Sequence, residues 1–116
     1  MSWFSGLKKK ALESIDFSIL KTDIHSHLIP GIDDGAQNLN ESLDLVFALQ
    51  ELGFSKIITT PHTMSDFYKN TPEIIISGRV DVQNALDKLN TEIEFGAASE
   101  YYVDFDFQKK IEKKEF

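Results

Sequence analysis

All three histidines of the sequence fall where a β-strand is predicted to end, and so does Glu100. In Asp23-Ile24-His25-Ser26-His27 the two-residue period of an extended strand puts Asp23, His25 and His27 on one face, with Ile24 packing the other way. Two imidazoles so spaced can converge on one cation without loop ordering, and imidazole with carboxylate suits Zn, Mn or Fe. Asp33 and Asp34, between Gly31 and Gly35, form an acidic feature in a tight loop that can bend back toward that strand end. Thr59-Thr60-Pro61-His62 carries the third imidazole to the end of the next strand, which in a parallel barrel is the same rim. Glu100, at the end of the third strand, can bridge two cations at the ~3.5 to 4 Å separation that two-metal phosphate chemistry uses. Tyr101 and Tyr102 are candidates for a substrate wall. Arg79, the sole arginine, sits mid-helix and far from this rim, so no arginine clamp for phosphate is supplied.

These residues need strands and helices to bring them together. Phe17 to Leu28 mixes β-branched and aromatic residues without a helical stripe and stops at Pro30-Gly31, which predicts a first strand within it. Asn38 as N-cap, with Glu41 three residues on, opens a helix. Leu43, Val46 and Phe47, flanked by Leu45, Leu49 and Leu52, give that helix a wide apolar face, and Gly53 is placed to close it. Phe54 to Thr60 is a second strand, cut off by Pro61. Thr71 as cap, Pro72 at the first helical position and Glu73 in the first turn open a second helix that runs from Ile74 to Asn90. Its stripe is Ile75, Val82, Leu86 and Leu89, interrupted by Gly78 at a cost of about 1 kcal/mol relative to Ala. Ile93 to Ala98 reads as a third, shorter strand. Asp104 or Asp106 then caps a third helix carrying Phe107 and Ile111, which runs to the chain end without a C-cap.

The order β-α-β-α-β-α implies parallel strands joined by right-handed crossovers. With 116 residues the chain is one folding unit, whereas a closed (β/α) barrel takes about 250. The fold class is therefore α/β, the front half of a barrel built from three βα units, with open sheet edges. Residues 1–16 form an N-terminal arm and residues 17–116 the domain. In the arm, Trp3, Phe4 and Leu7 ahead of Lys8 to Lys10 are either a weak interfacial segment or a frayed, partner-covered end. A formal charge of −7 argues against nucleic-acid or anionic-membrane binding through bulk electrostatics. The apolar share of 41% suits a folding chain, and the absence of Cys excludes disulfides, thiolate zinc sites and cysteine nucleophiles. No apolar run reaches the ~18 to 20 residues of a membrane span, and no secretory signal opens the chain, so a cytoplasmic protein is expected.

The run DIHSHLIPGIDDGAQNLNESLDLVFALQELGFSKIITTPH, the Thr-Pro-Glu helix start and GAASEYY resemble the polymerase-and-histidinol-phosphatase (PHP) superfamily. More narrowly they resemble the manganese-dependent protein-tyrosine phosphatases of bacterial capsular and exopolysaccharide loci. The likeness covers Asp23 to the chain end. It implies a distorted (β/α)7, TIM-like barrel with two or three ions, Mn2+ or alternatively Fe or Zn, at its C-terminal rim. By resemblance His25 and His27 are ligands of one metal, Glu100 is a bridging carboxylate, Asp34 rather than Asp33 is a ligand from the loop, and His62 is a ligand of a neighbouring metal. His25, His27, His62 and Glu100 are thereby the catalytic set. The activity implied is hydrolysis of phosphotyrosine on a tyrosine-rich autokinase tail by a metal-bound hydroxide, which needs no cysteine.

The family's later motifs, a His-Pro-Glu-Arg-like and a Ser-Asp-x-His-like segment, have no counterpart here. The resemblance thus implies a truncated chain with about half a site, weak or inactive alone, completed by a homo-oligomer or a complementary chain. Two further readings stand beside it. One is another PHP-type or amidohydrolase-type metallohydrolase, such as a histidinol phosphatase or small phosphoesterase. The other is a non-catalytic metal-binding fragment.

Overall fold

The structure, a computed structural model, describes residues 15–116. The aromatic and lysine segment at Trp3 to Lys10, and most of the proposed arm, lie outside the described residues. The element order is β1 (Thr22–Asp23), α1 (Leu39–Glu51), β2 (Lys56–Thr59), β3 (His62–Thr63), α2 (Pro72–Lys88), β4 (Glu94–Ala97), β5 (Glu100–Tyr101) and α3 (Phe105–Lys113). Three strands form a parallel sheet in the order β1-β2-β4, as the alternating pattern requires. Just past the ends of β2 and β4 the chains pair again as a parallel ladder, β3-β5, which sequence periodicity did not reveal because each of its strands is two residues long.

α1 begins where its cap predicts, the Asn38 side chain accepting from the Glu41 N–H at 2.9 Å. The return bond falls one residue early: the Glu41 carboxylate accepts from the Gln37 N–H. Gly53 ends the segment at φ 109°, and a Cβ there would run into the Ser18 backbone. α2 has its Thr71 cap and its proline at the first turn, as expected. Gly78 has a packing reason that offsets its poor helix propensity: a Cβ there would overlap the Ile29 side chain. One core holds Leu28, Ile29, Val46, Ile57, Ile75, Val82, Leu86, Ile93 and Phe95. It lies between the sheet and the two crossover helices.

Four expectations need correcting. The first strand is only Thr22–Asp23, because beyond it the Thr59 hydroxyl, bonding the Ser26 carbonyl and the Leu28 N–H, interrupts the regular backbone ladder to β2. Ile24 does not pack away from the histidines but is 71% exposed. Leu89 lies past the end of α2 and is exposed, so it is not part of the buried stripe. α3 does have a C-cap, Lys114 in the left-handed conformation, and it buries no residue. The sheet edge at β4 is also less open than three strands suggest. The Phe95 N–H donates to Gln83 Oε1 at 2.9 Å, and the Phe95 carbonyl accepts from the Arg79 guanidinium at 3.3 Å. Arg79 thus serves the strand edge, which is one of the ways an edge is protected from pairing. No helix of the described residues is long and apolar enough to cross a membrane.

Candidate metal centre

His25 and His27 lie beyond β1 in an extended segment fixed by two hydroxyls of the neighbouring strand end. Thr59, fully buried, donates to the Ser26 carbonyl at 2.8 Å and accepts from the Leu28 N–H at 2.9 Å. The Thr60 N–H donates to the same Ser26 carbonyl, and Thr60 Oγ1 lies 3.3 Å from His25 Nδ1. The Thr-Thr pair that reads as β-propensity in the sequence therefore aims the His-x-His segment. Gly35 completes the arrangement from the other side: it sits so close to His27 that a Cβ would overlap the His27 carbonyl and side chain.

His62 enters from β3, where it stands in register opposite Glu100 of β5. Asn70 holds this strand to the glycine-flanked loop, its amide donating to the His62 carbonyl at 2.8 Å and to the Ile32 carbonyl at 3.0 Å. Glu100 Oε2 then lies 3.7 Å from His25 Nε2, 3.2 Å from His27 Nε2 and 3.3 Å from His62 Nδ1. Asp34 Oδ1 is 3.2 Å from His62 Nε2. Two groups result, His25 with His27 and Glu100, and His27 with Asp34 and His62, each with its ligand atoms within 4.8 Å of one another. All five residues singled out in the sequence, His25, His27, Asp34, His62 and Glu100, are brought to one rim. Asp23, expected on the same face, belongs to neither group; it lies within β1, in register with the core residue Ile57.

The residues fit bound cations. Glu100 Oε2 is buried and has no hydrogen-bond partner, although three imidazole nitrogens face it. An unpaired buried carboxylate oxygen is costly unless a charge completes it, and a cation among these nitrogens would do so. Imidazole and carboxylate donors suit Zn, Mn or Fe, and a shared His27 with a central Glu100 allows two neighbouring ions.

Asp33 has a different position from Asp34. Its side chain has no exposed surface, and its Oδ2 lies 2.8 Å from His27 Nδ1 and 3.1 Å from the His62 N–H, while Oδ1 accepts from the Gly35 N–H at 3.0 Å. Burial pushes its pKa up, but the hydrogen bonds from the His27 ring and the Gly35 and His62 N–H groups outweigh that and hold the carboxyl below its usual range. A second acid, Asp104, is held down to about 2 by the Ser65 hydroxyl and the Phe107 and Ser65 N–H groups, and so pins the loop after β3 to the start of α3.

Sequence reasoning missed Tyr68 and Asn70. Tyr68 stacks on His62, ring centroids 5.5 Å apart, beside Phe67, which is 78% exposed. They lie in a stretch without periodicity, and the only signal there was an aromatic pair close after a candidate ligand. Tyr101, by contrast, turns away from the rim and stacks on Phe107, and Tyr102 is exposed.

A family model described as capsular polysaccharide synthesis, CpsB/CapC, matches residues 21–116. The tyrosine-protein phosphatase YwqE of Bacillus subtilis is 37% identical over 71 residues, covering 61% of this chain and 25% of its own. The tyrosine-protein phosphatase CpsB of Streptococcus pneumoniae is 28% identical over 93 residues, covering 80% of this chain and 38% of its own. Among solved structures, a chain from the work on YwqE and CpsB, described as unique metal-dependent tyrosine phosphatases, superposes with a TM-score of 0.73 at 26% identity, over 82% of this chain and 38% of that one. The chain thus spans between a quarter and two fifths of the length of these relatives.

Proposed function

The chain belongs to the CpsB/CapC family of capsular polysaccharide synthesis, and from that premise we propose that residues 17–116 form the N-terminal share of a metal-dependent protein-tyrosine phosphatase. In this reading the three βα units are the front half of a (β/α)7, TIM-like barrel, and the rim holds Mn2+. The observation that carries it is the buried, unpaired Glu100 Oε2 faced by nitrogens of His25, His27 and His62.

His25, His27 and Glu100 would hold one cation, and His27, Asp34 and His62 its neighbour. When bound, the cations supply charge neutralisation for phosphoryl oxygens and activation of water. The chain's own residues do the positioning. Thr60 and Asp33 turn His25 and His27 so that each presents Nε2 toward Glu100. Tyr68, stacked on His62, and the exposed Phe67 next to it in the chain suit an aryl group next to the phosphate. The substrate is a phosphotyrosine of an autokinase tail, met in the cytoplasm.

The test is manganese content after purification, followed by phosphate release from a phosphotyrosine peptide and from histidinol phosphate, with and without chelator. Retained manganese, and chelator-sensitive release that favours the phosphotyrosine peptide, are expected. A folded sample with no metal above background, or release indifferent to chelator, overturns the reading.

A further inference from the structure

We infer that Asp33 is the positioning residue that prepares both candidate cation groups at once, by fixing the ring of His27, the one histidine they share, and the backbone of His62. This rests on the reading above that the rim imidazoles ligate cations.

Its Oδ2 meets two donors that belong to different elements. One is the ring Nδ1 of His27 at 2.8 Å and the other is the backbone N–H of His62 at 3.1 Å. A carboxylate can only accept, so this bond places a proton on His27 Nδ1 and, in the neutral ring, keeps the lone pair on Nε2, 3.2 Å from Glu100 Oε2 on the rim. A histidine ligand whose second ring nitrogen donates to a carboxylate is both oriented and made a better donor, and loss of such a partner typically costs 10- to 100-fold in metal affinity. The bond to the His62 N–H sets where β3 starts, and through it the register of His62 opposite Glu100. The third acceptor bond, from the Gly35 N–H, and zero side-chain exposure leave the carboxylate no freedom to rotate into the rim as a ligand. Asp34, one residue on and exposed, faces His62 Nε2 and is free to be one. The two adjacent acids thus have separate tasks.

Thr60 provides the internal contrast: besides its bonds to the Ser26 backbone, its hydroxyl faces one imidazole, that of His25, and His25 belongs to one group only. In Asp33→Asn an amide replaces one oxygen. Placed toward His27 it would push the ring proton to Nε2 and block ligation; placed toward Gly35 it would strand that N–H.

The experiment has two arms on the full chain. In the unaltered, metal-free protein, two-bond proton–nitrogen correlation spectra should show His27 as the Nδ1–H tautomer; the Nε2–H form overturns the proposal whatever any variant does. Calorimetric titration with Zn2+ should then show both binding events weakened about 10- to 100-fold in Asp33→Asn, and only one in Thr60→Val. Equal weakening of a single event by the two variants, or wild-type affinity in Asp33→Asn, overturns the role of Asp33 while leaving the metal reading intact. No Zn2+ binding by the unaltered chain removes both.

Discussion

The rim and α3 are both assembled at the C-terminal ends of the strands, yet they are held by different means. The segment from Ser26 to Gly35 is tied to the end of β2 and to β3 by part-buried hydrogen bonds through Thr59, Thr60 and Asp33. α3 buries no side chain and is secured by the Asp104 cap, its bonds to Ser65, and the stack of Phe107 on Tyr101, with ring centroids 5.2 Å apart. The first arrangement cannot loosen without exposing core or stranding buried polar groups; the second can open while the core stays shut. Ligand geometry is therefore expected to open together with the core, and α3 ahead of it as a local unit.

The sharpest way to break this contrast is Gly35→Ala. The added Cβ meets the backbone of His27, which no rotamer change relieves, so a loss of about 3 kcal/mol in urea unfolding is expected together with loss of Zn2+ binding. Unchanged stability would mean that the loop is not packed against the His-x-His segment. Next comes Thr59→Val, which keeps the shape but strands the Leu28 N–H and leaves the Ser26 carbonyl with its Thr60 bonds alone. About 2 kcal/mol should be lost, and metal affinity should fall with it. Gly78→Ala sets a helix-propensity gain of up to about 1 kcal/mol against overlap with Ile29, and a net loss of about 1 kcal/mol is expected because overpacking dominates in a closed core.

The smallest global effect belongs to the other region. Asp104→Ala should leave the urea midpoint and Zn2+ titration unchanged while amide exchange in residues 105–113 becomes faster; a shift in metal affinity would show α3 coupled to the rim. The same contact can be titrated. Because the Asp104 carboxyl is lowered from its ordinary value to about 2 in the folded chain, its contribution is complete above about pH 4 and is lost as pH falls through about 2. Exchange in α3 should accelerate over that window.

Much of this was legible from residue types alone. The helix caps at Asn38, Thr71 and Asp104 are local events, decided within four residues; the sequence places the first two and narrows the third to Asp104 or Asp106, of which the structure uses Asp104. The ligand candidates were legible too, because imidazoles at strand ends in a parallel arrangement have one rim to go to. Ile24 and Leu89 were misplaced because periodicity assumes that a strand or helix continues, whereas β1 stops at Asp23 and α2 at Lys88. Arg79 reads only as a mid-helix residue far from the rim, and Gln83 draws no notice, since nothing local shows that a strand edge lies beside them.

What the sequence determined by itself is the inventory: which donors exist, the order in which strands and helices carry them, and the exclusion of cysteine chemistry. Only the tertiary structure decided how the two adjacent aspartates divide, one turned inward to brace His27 and the other outward toward His62. It also decided that Glu100 faces all three imidazoles. The reason is that side-chain direction outside regular elements depends on bonds to residues some 29 to 35 positions away in the chain, such as His62 to Asp33 and Thr60 to His25, and those contacts exist only once the sheet has brought the strand ends together.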